Sequence, residues 1–361
     1  MSRVRAVIQS NDLIRTAGLL TLWVALHVYA ARPLLVAAAA EGIRPLAAWG
    51  AVLVMPFVSM LPLLARRSDA IRLRSIAHWA GYATMSVFTM LLIVVLTSDV
   101  LRLVVKVNAF VAIGVAAFLA VVGLIQARRP RVVSIKIPAP LDYRIVQWSD
   151  VHIGPTIQRR FVESLVVRSN ALNPDAIVIT GDLVDGYLED LRDAIAPLRD
   201  LRARDGVFVV TGNHEYYWRA SEWTREFARL GLTFLKNEHR VVRDGLVIAG
   251  VTDPAGRYTH KPDAKAALDG APLDAFRILL AHRPQAAQAA TRLGVNLQLS
   301  GHTHGGQFFP FNLLIRWFQP VVAGLHRVGE MMLYVSRGTG YWGPPSRLGV
   351  GGEITLIDLK R

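Results

Sequence analysis

The chain has 361 residues, 52% of them hydrophobic, and no cysteine. The lack of cysteine excludes disulfides, thiolate metal sites, iron–sulfur clusters and a cysteine nucleophile, and it leaves the compartment open. A net charge of +14 suggests nucleic acid, but residues 1–130 carry 13 Lys/Arg against 4 Asp/Glu, while residues 131–361 carry 28 against 23. Most of the excess therefore flanks apolar segments, where basic residues set membrane orientation, and no nucleic-acid partner is expected.

Four apolar stretches fill the first third: 16–31, extendable past Arg32-Pro33 to 40, then 45–65, 76–97 and 107–127. A spanning helix needs about 20 mostly apolar residues, which the last three stretches supply. Proline is tolerated in membrane helices and Arg32 can snorkel, so the first stretch counts as a fourth span. A cleaved signal peptide is disfavoured, because no clear cleavage site is present and three more spans follow. Arg3, Arg5 and Arg15 precede the first span, Arg66, Arg67, Arg72 and Arg74 separate the second and third, and Arg128, Arg129 and Arg131 follow the fourth. The two remaining loops hold only Arg32 and Arg44, then Arg102 and Lys106. The positive-inside rule then puts both termini, and the domain that follows, in the cytoplasm beneath a cell (inner) membrane. His27 and His78 are read as helix-packing residues. With so few ionisable groups inside the spans and no broken helix to suggest a transport path, the region reads as an anchor.

After Arg131 the apolar runs become short and β-branched. Strands are expected at 131–137, 143–149, 176–180, 207–210, 246–250, 277–281, 295–299, 332–335 and 354–357. Helices are expected at 157–172, 188–201 and 221–230, the last capped by Ser221. This order suits a two-sheet sandwich flanked by helices, so residues 1–130 are read as anchor and 131–361 as one catalytic domain.

Polar residues that can bind a metal follow five of these strands: Asp150-Val151-His152, Gly181-Asp182, Gly212-Asn213-His214-Glu215, His282 and Gly301-His302-Thr303-His304. Side chains two apart share a face of an extended chain, and neutral histidine is the commonest metal ligand. Asp150, His152, Asp182, Asn213, His282, His302 and His304 form a nitrogen and oxygen set without sulfur. Such a set suits Zn, Mn, Fe, Co or Ni. Seven side chains exceed the needs of one ion. A bridging carboxylate would let them serve two divalent ions about 3.5–4 Å apart, the geometry for in-line displacement at phosphorus.

In type and order these five motifs resemble those of the calcineurin-like metallophosphoesterase superfamily, over about residues 140–361. The resemblance implies an α-β-β-α sandwich with two metals. One ion would take Asp150, His152 and His304, the other Asn213, His282 and His302, with Asp182 bridging. Gly305-Gly306-Gln307, the run from Tyr334 to Gly338, and Glu353-Ile354-Thr355 are similar to bacterial membrane-associated members, some of which act on phospholipids or UDP-diacylglucosamine. Asp185 is followed by Gly186-Tyr187 and not by the Arg-Gly of the protein phosphatases, which argues against a phosphoprotein substrate.

The implied chemistry is hydrolysis of a phosphodiester, phosphomonoester or pyrophosphate by an activated hydroxide. His214 serves as acid toward the leaving oxygen, and Asp185, by resemblance, orients it. Glu215 is read as a loop cap, and Arg337 as either a phosphate contact or a surface ion pair. Phe308, Phe309, Phe311, Leu313, Leu314, Ile315, Trp317 and Phe318 follow the metal loop. They are either core or an apolar lip toward the bilayer that admits an acyl chain. The expected partners are thus a bilayer and a phosphorylated small-molecule or lipid-linked substrate. A metal-stabilised scaffold without activity is the alternative.

Overall fold

A computed structural model describes residues 17–65, 71–101, 108–257 and 260–361 of the chain. These fall into two units, Met1–Val122 and Gly123–Arg361.

The first unit is helical: α1 (Ala17–Ala30), α2 (Arg32–Ala40), α3 (Pro45–Ala65), α4 (Ile71–Leu101) and the start of α5 (Ala109–Arg128). Three segments, Pro45–Ala65, Leu73–Leu101 and Ala109–Arg128, are long and apolar enough to cross a membrane. The pair α1 and α2 adds a fourth if the two count as one span. They meet at a 43° bend, where Pro33 lacks an N–H to continue the helix and its ring crowds the preceding turn. The first stretch is therefore broken where Arg32-Pro33 interrupts its apolar run. Arg32 does not stand alone either. It pairs with Asp99 of α4 at 2.5 Å, and the Tyr29 hydroxyl donates to the same carboxylate at 2.6 Å. His27 stacks on Phe88 with ring centroids 3.7 Å apart, and Trp23 donates to Ser59 at 3.2 Å. His78 bonds the Arg74 carbonyl at 2.7 Å. Both histidines thus have helix-packing surroundings. Arg3, Arg5, Arg15, Arg66, Arg67, Arg102 and Lys106, on which the orientation rests, lie outside the described residues.

The second unit contains β1 (Arg131–Pro138), β2 (Tyr143–Trp148), α6 (Arg159–Asn170), β3 (Ala176–Thr180), α7 (Leu188–Ile195), β4 (Val207–Val210), α8 (Asn213–Tyr217), α9 (Ala220–Arg229) and β5 (Thr233–Phe234). It continues through β6 (Glu238–Arg243), β7 (Leu246–Gly250), α10 (Ala264–Leu268), β8 (Phe276–Leu280), α11 (Ala287–Ala290), β9 (Leu297–Ser300), α12 (Phe311–Leu314), β10 (Gly324–Val328), β11 (Met331–Val335) and β12 (Glu353–Lys360). Two six-stranded sheets result, in the orders β1-β12-β2-β3-β4-β5 and β10-β11-β9-β8-β7-β6.

Strand alternation builds the layers. Ile145, Val178, Phe208 and Val210 of the first sheet meet Ile248, Ile278, Leu280 and Leu299 of the second in one buried cluster. The opposite faces of the first sheet, with Val146, Trp148, Ile177 and Val209, pack on Phe161, Leu165, Leu191 and Phe227 of its helices. Leu279 and Leu333 of the second sheet pack on Ala267, Ala287 and Ala290. Helices thus cover both outer faces of the paired sheets, the expected α-β-β-α sandwich. Strands β2, β3 and β4 run parallel, as do β7, β8, β9 and β11. Their C-terminal ends therefore open on one edge of each sheet, where α/β sheets place ligands.

Some boundaries differ from expectation. The helix expected at 188–201 changes after Ile195 into a 3₁₀ turn at Ala196–Asp200, with Pro197 near its start. Helix α9 begins after Arg219, which adopts φ 65°, and not at Ser221, which lies inside the helix. Strands β6 and β10 lie at sheet edges and β5 has only two residues, so none carries the alternating apolar signal.

Candidate metal centre

The metal-ligating candidates sit where parallel strands end. Asp150 and His152 follow β2, Asp182 follows β3, Asn213 follows β4, His282 follows β8, and His302 and His304 follow β9. Asp150, Asp182 and His282 are almost fully buried. Five of these seven residues adopt left-handed backbone: Asp150 at φ 52°, His152 at 53°, Asp182 at 50°, His302 at 72° and His304 at 52°. Non-glycine residues rarely take this conformation, and strain of this kind concentrates at functional sites. Glycines let the loops converge. A Cβ on Gly301 would fall 1.9 Å from Ser149 Oγ, and one on Gly212 would fall 2.1 Å from Asp182 Oδ1.

Two ligand clusters form. Asp150, His152 and His304 make one, and Asp182, His282 and His302 the other. In the first, the Nε2 atoms of His152 and His304 face each other at 3.0 Å, and His304 Nε2 lies 3.4 Å from Asp150 Oδ1. In the second, His282 Nδ1 donates to the Thr180 carbonyl at 2.8 Å, so Nε2 is the ring nitrogen that faces inward. That Nε2 lies 3.1 Å from His302 Nδ1 and 3.2 Å from Asp182 Oδ2. The same Asp182 oxygen is 3.8 Å from His152 Nε2. One carboxylate oxygen thus stands between the two clusters.

The electrostatics call for positive charge here. Burial holds His152 and His304 well below the usual histidine range, and burial together with His282 pushes His302 to about 4. Burial also opposes a charged His282, but Asp182 and Asp150 raise it to about 10. Burial opposes ionisation of Asp182 as well, yet facing His282, His152 and His214 holds it well below the ordinary carboxylate range. Burial raises Asp150. Asn213 Oδ1, His152 Nδ1 and His304 Nδ1 are buried without a hydrogen-bond partner among the described residues. Ring nitrogens aimed at one another, an orphaned amide oxygen and two buried carboxylates are a donor set that fits divalent cations.

His214 lies beside this set. Its Nδ1 is 3.0 Å from Asp185 Oδ1, and the Trp218 indole donates to that same oxygen at 2.7 Å. One donor atom each of His152, Asp185 and His214 also lie within 4.8 Å of one another. Because Asp185 Oδ1 already receives two donors, we read this group as a hydrogen-bond relay. Burial opposes the charged form of His214, but the bond to Asp185 and the charge of Asp182 raise it above the usual value.

Against this geometry, the calcineurin-like phosphoesterase family model matches residues 143–306. A metallophosphoesterase of Aquifex aeolicus is 33% identical over 230 residues, which cover 62% of this chain and 88% of that protein. The chain belongs to the calcineurin-like metallophosphoesterase family. "Transmembrane protein with metallophosphoesterase domain" from Bos taurus is 42% identical over 273 residues, covering 69% of this chain and 62% of that protein. The protein of the same name from Danio rerio is 40% identical over 271 residues, with the same shares covered. The chain therefore spans about three fifths of the length of these transmembrane relatives.

In this metallophosphoesterase the flanking residues take definite positions. Glu215 is buried and accepts four backbone N–H groups: Gly212 at 2.6 Å, Leu183 at 2.8 Å, Asp182 at 3.0 Å and Val184 at 3.2 Å. It ties the loop after β3 to the loop after β4, in keeping with a structural role. Burial and the neighbouring Asp182 push its carboxyl up to about 7, against the pull of those donors. The Arg337 guanidinium has no ion pair among the described residues, and its backbone N–H donates to Glu353 at 3.1 Å.

Arg347, absent from the sequence reading, is fully buried and donates to the carbonyls of His304 at 2.7 Å and Gly338 at 2.7 Å. Burial lowers it to about 10. It sits in Pro344-Pro345-Ser346-Arg347, 43 positions beyond His304, with no local pattern to mark it. Trp218 was also missed. Its position one helical turn after His214 is the only signal that could have found it. Of the apolar run, Phe308 is buried, while Trp317 at 79% and Phe318 at 77% stand exposed.

Proposed function

We propose that the chain hydrolyses a phosphate ester or anhydride at a two-ion centre on the cytoplasmic side of the membrane. In this reading residues 1–130 are the anchor and residues 131–361 the cytoplasmic catalytic domain of an inner-membrane protein. Asp150, His152 and His304 would hold one divalent ion, and Asn213, His282 and His302 the other, with Asp182 shared. The observation that carries the reading is the Asp182 Oδ2 atom, placed within 3.8 Å of His152 Nε2 and 3.2 Å of His282 Nε2. When bound, the ions supply a nucleophile at neutral pH and neutralise the phosphoryl oxygens.

The chain's own groups do the rest. Asp185 receives the Nδ1 proton of His214 and so leaves Nε2 to exchange a proton with the leaving oxygen. Trp218 fixes the acceptor oxygen of Asp185. The Tyr217 and Trp342 rings pack 5.1 Å and 5.8 Å from the His214 ring and limit its rotation. Arg347, through the His304 and Gly338 carbonyls, holds the loop that presents His304.

The substrate class we favour is lipid-linked. The exposed aromatics of 309–318 follow the His304 loop directly, and the Bos taurus and Danio rerio relatives are named as transmembrane proteins. The first test is hydrolysis of a chromogenic phosphodiester with added Mn²⁺ by the full chain. Asp182→Asn should abolish turnover, and an unchanged rate would remove the two-ion reading. The second compares a lipid-linked pyrophosphate or diester in mixed micelles with its water-soluble counterpart. A higher kcat/KM for the soluble compound would reject the lipid assignment.

A further inference from the structure

The geometry points to a second anion site, distinct from the metal centre, that binds the phosphate headgroup of an anionic amphiphile. A cleft of about 540 Å³ opens between the C-terminal end of α5, β1 and the 349–353 loop, and Arg129, Arg131 and Arg337 line it. All three are exposed, and none of their guanidiniums has a hydrogen-bond or ion-pair partner among the described residues. Three unpaired guanidiniums on one cleft repel one another unless an anion lies between them. Planar forks of this kind match phosphate oxygens.

The site is built on fixed backbone. The Arg131 N–H donates to Gly352 at 2.8 Å, and the Gly349 N–H donates to Gln126 Oε1 at 3.1 Å. Arg347 N–H donates to Gly123 at 3.0 Å, so the end of α5 is bonded to the loop that closes the cleft. Glu353 also lines it, but its Oε1 is taken up by the Tyr334 hydroxyl at 2.8 Å and the Arg337 N–H at 3.1 Å. A net positive cleft remains. Its apolar lining of Ile125, Val133 and Val350 favours an amphiphile over a free ion. The position agrees, because α5 is apolar enough to span and ends at Arg128, beside the site. Arg337 and Val350 also touch the metal loop, since a Cβ on Gly305 would meet Val350 Cγ1 at 3.0 Å and Arg337 Cγ at 3.3 Å.

The test uses the full chain in neutral detergent and measures retention of fluorescent phosphatidylglycerol against phosphatidylcholine at equal mole fraction. The native chain should prefer the anionic lipid. Each juxtamembrane arginine is worth about fivefold, so Arg129→Gln/Arg131→Gln/Arg337→Gln should lower the preference on the order of 100-fold. Arg225→Gln, at an exposed position on α9, should change nothing. Failure of inorganic phosphate to displace the lipid identifies a headgroup as the ligand, and displacement at low concentration identifies soluble phosphate at the same site. Equal retention of the two lipids, or an unchanged preference in a triple variant with a native melting curve, overturns the proposal. If the triple variant does not fold, the single variants Arg129→Gln and Arg131→Gln decide it, each with an expected loss of about fivefold.

Discussion

His152 and His304 aim their Nε2 atoms at each other across 3.0 Å, although 152 positions separate them in the chain. One ring can donate to the other across such a gap, but whichever tautomers allow it, the Nδ1 atoms of both stay buried without a hydrogen-bond partner among the described residues. A cation bound there should stabilise the fold. Saturation at about 100 times Kd contributes about 2.7 kcal/mol, or roughly 5–10 °C for a domain of this size. Exhaustive chelation should lower the melting temperature by that amount and Mn²⁺ or Zn²⁺ should restore it, as read by scanning fluorimetry. A melting curve indifferent to both treatments would count against the site.

Asp185 offers one oxygen to both His214 Nδ1 and the Trp218 indole. Asp185→Asn keeps the size but weakens the hold on the Nδ1 proton. It should lower kcat while bound metal, measured by plasma emission, stays at the native level. His214→Ala should cost about 10²–10⁴ in kcat, again with metal retained. Loss of metal in His214→Ala would instead make His214 a ligand.

Glu215 satisfies four N–H groups from two loops. Glutamine offers one acceptor oxygen and turns an amide NH₂ toward donors. Glu215→Gln should destabilise the domain by about 1–3 kcal/mol, partly offset by relief of repulsion with Asp182. The shift would be seen in the urea midpoint. An unchanged midpoint would show that the clamp is replaceable.

Arg32 and Asp99 pair between two helices of apolar composition. Removing Asp99 takes the opposite charge away from Arg32, a loss that costs most inside a membrane. Asp99→Ala should therefore melt lower, in detergent, than the double variant Arg32→Ala/Asp99→Ala. The reverse order would show that the pair stands in water.

The five loop motifs were legible because their chemistry is local. Glycine marks a close approach, and Asp or His after a β-branched run marks a strand end. The sheet order was not legible, since β12 inserts between β1 and β2 from the far end of the chain. Arg347 and Trp218 were invisible for a related reason. They act on other residues through space, and nothing in their neighbours tells a buried arginine from an exposed one. The break at Ala31 was signalled by Pro33, but its partner Asp99 is 67 positions from Arg32. The strands missed at sheet edges lack a buried face, so no period was there to read.

The ligands of each proposed ion come from both sheets. Asp150 and His152 extend from the first sheet toward His304 on the second, and Asn213 and Asp182 from the first toward His282 and His302 on the second. The centre is therefore a clasp across the seam of the sandwich. A fragment ending before β8 would keep every ligand of the first sheet and none of the second. Neither half of this domain could be inherited, swapped or expressed as a working metal site without the other.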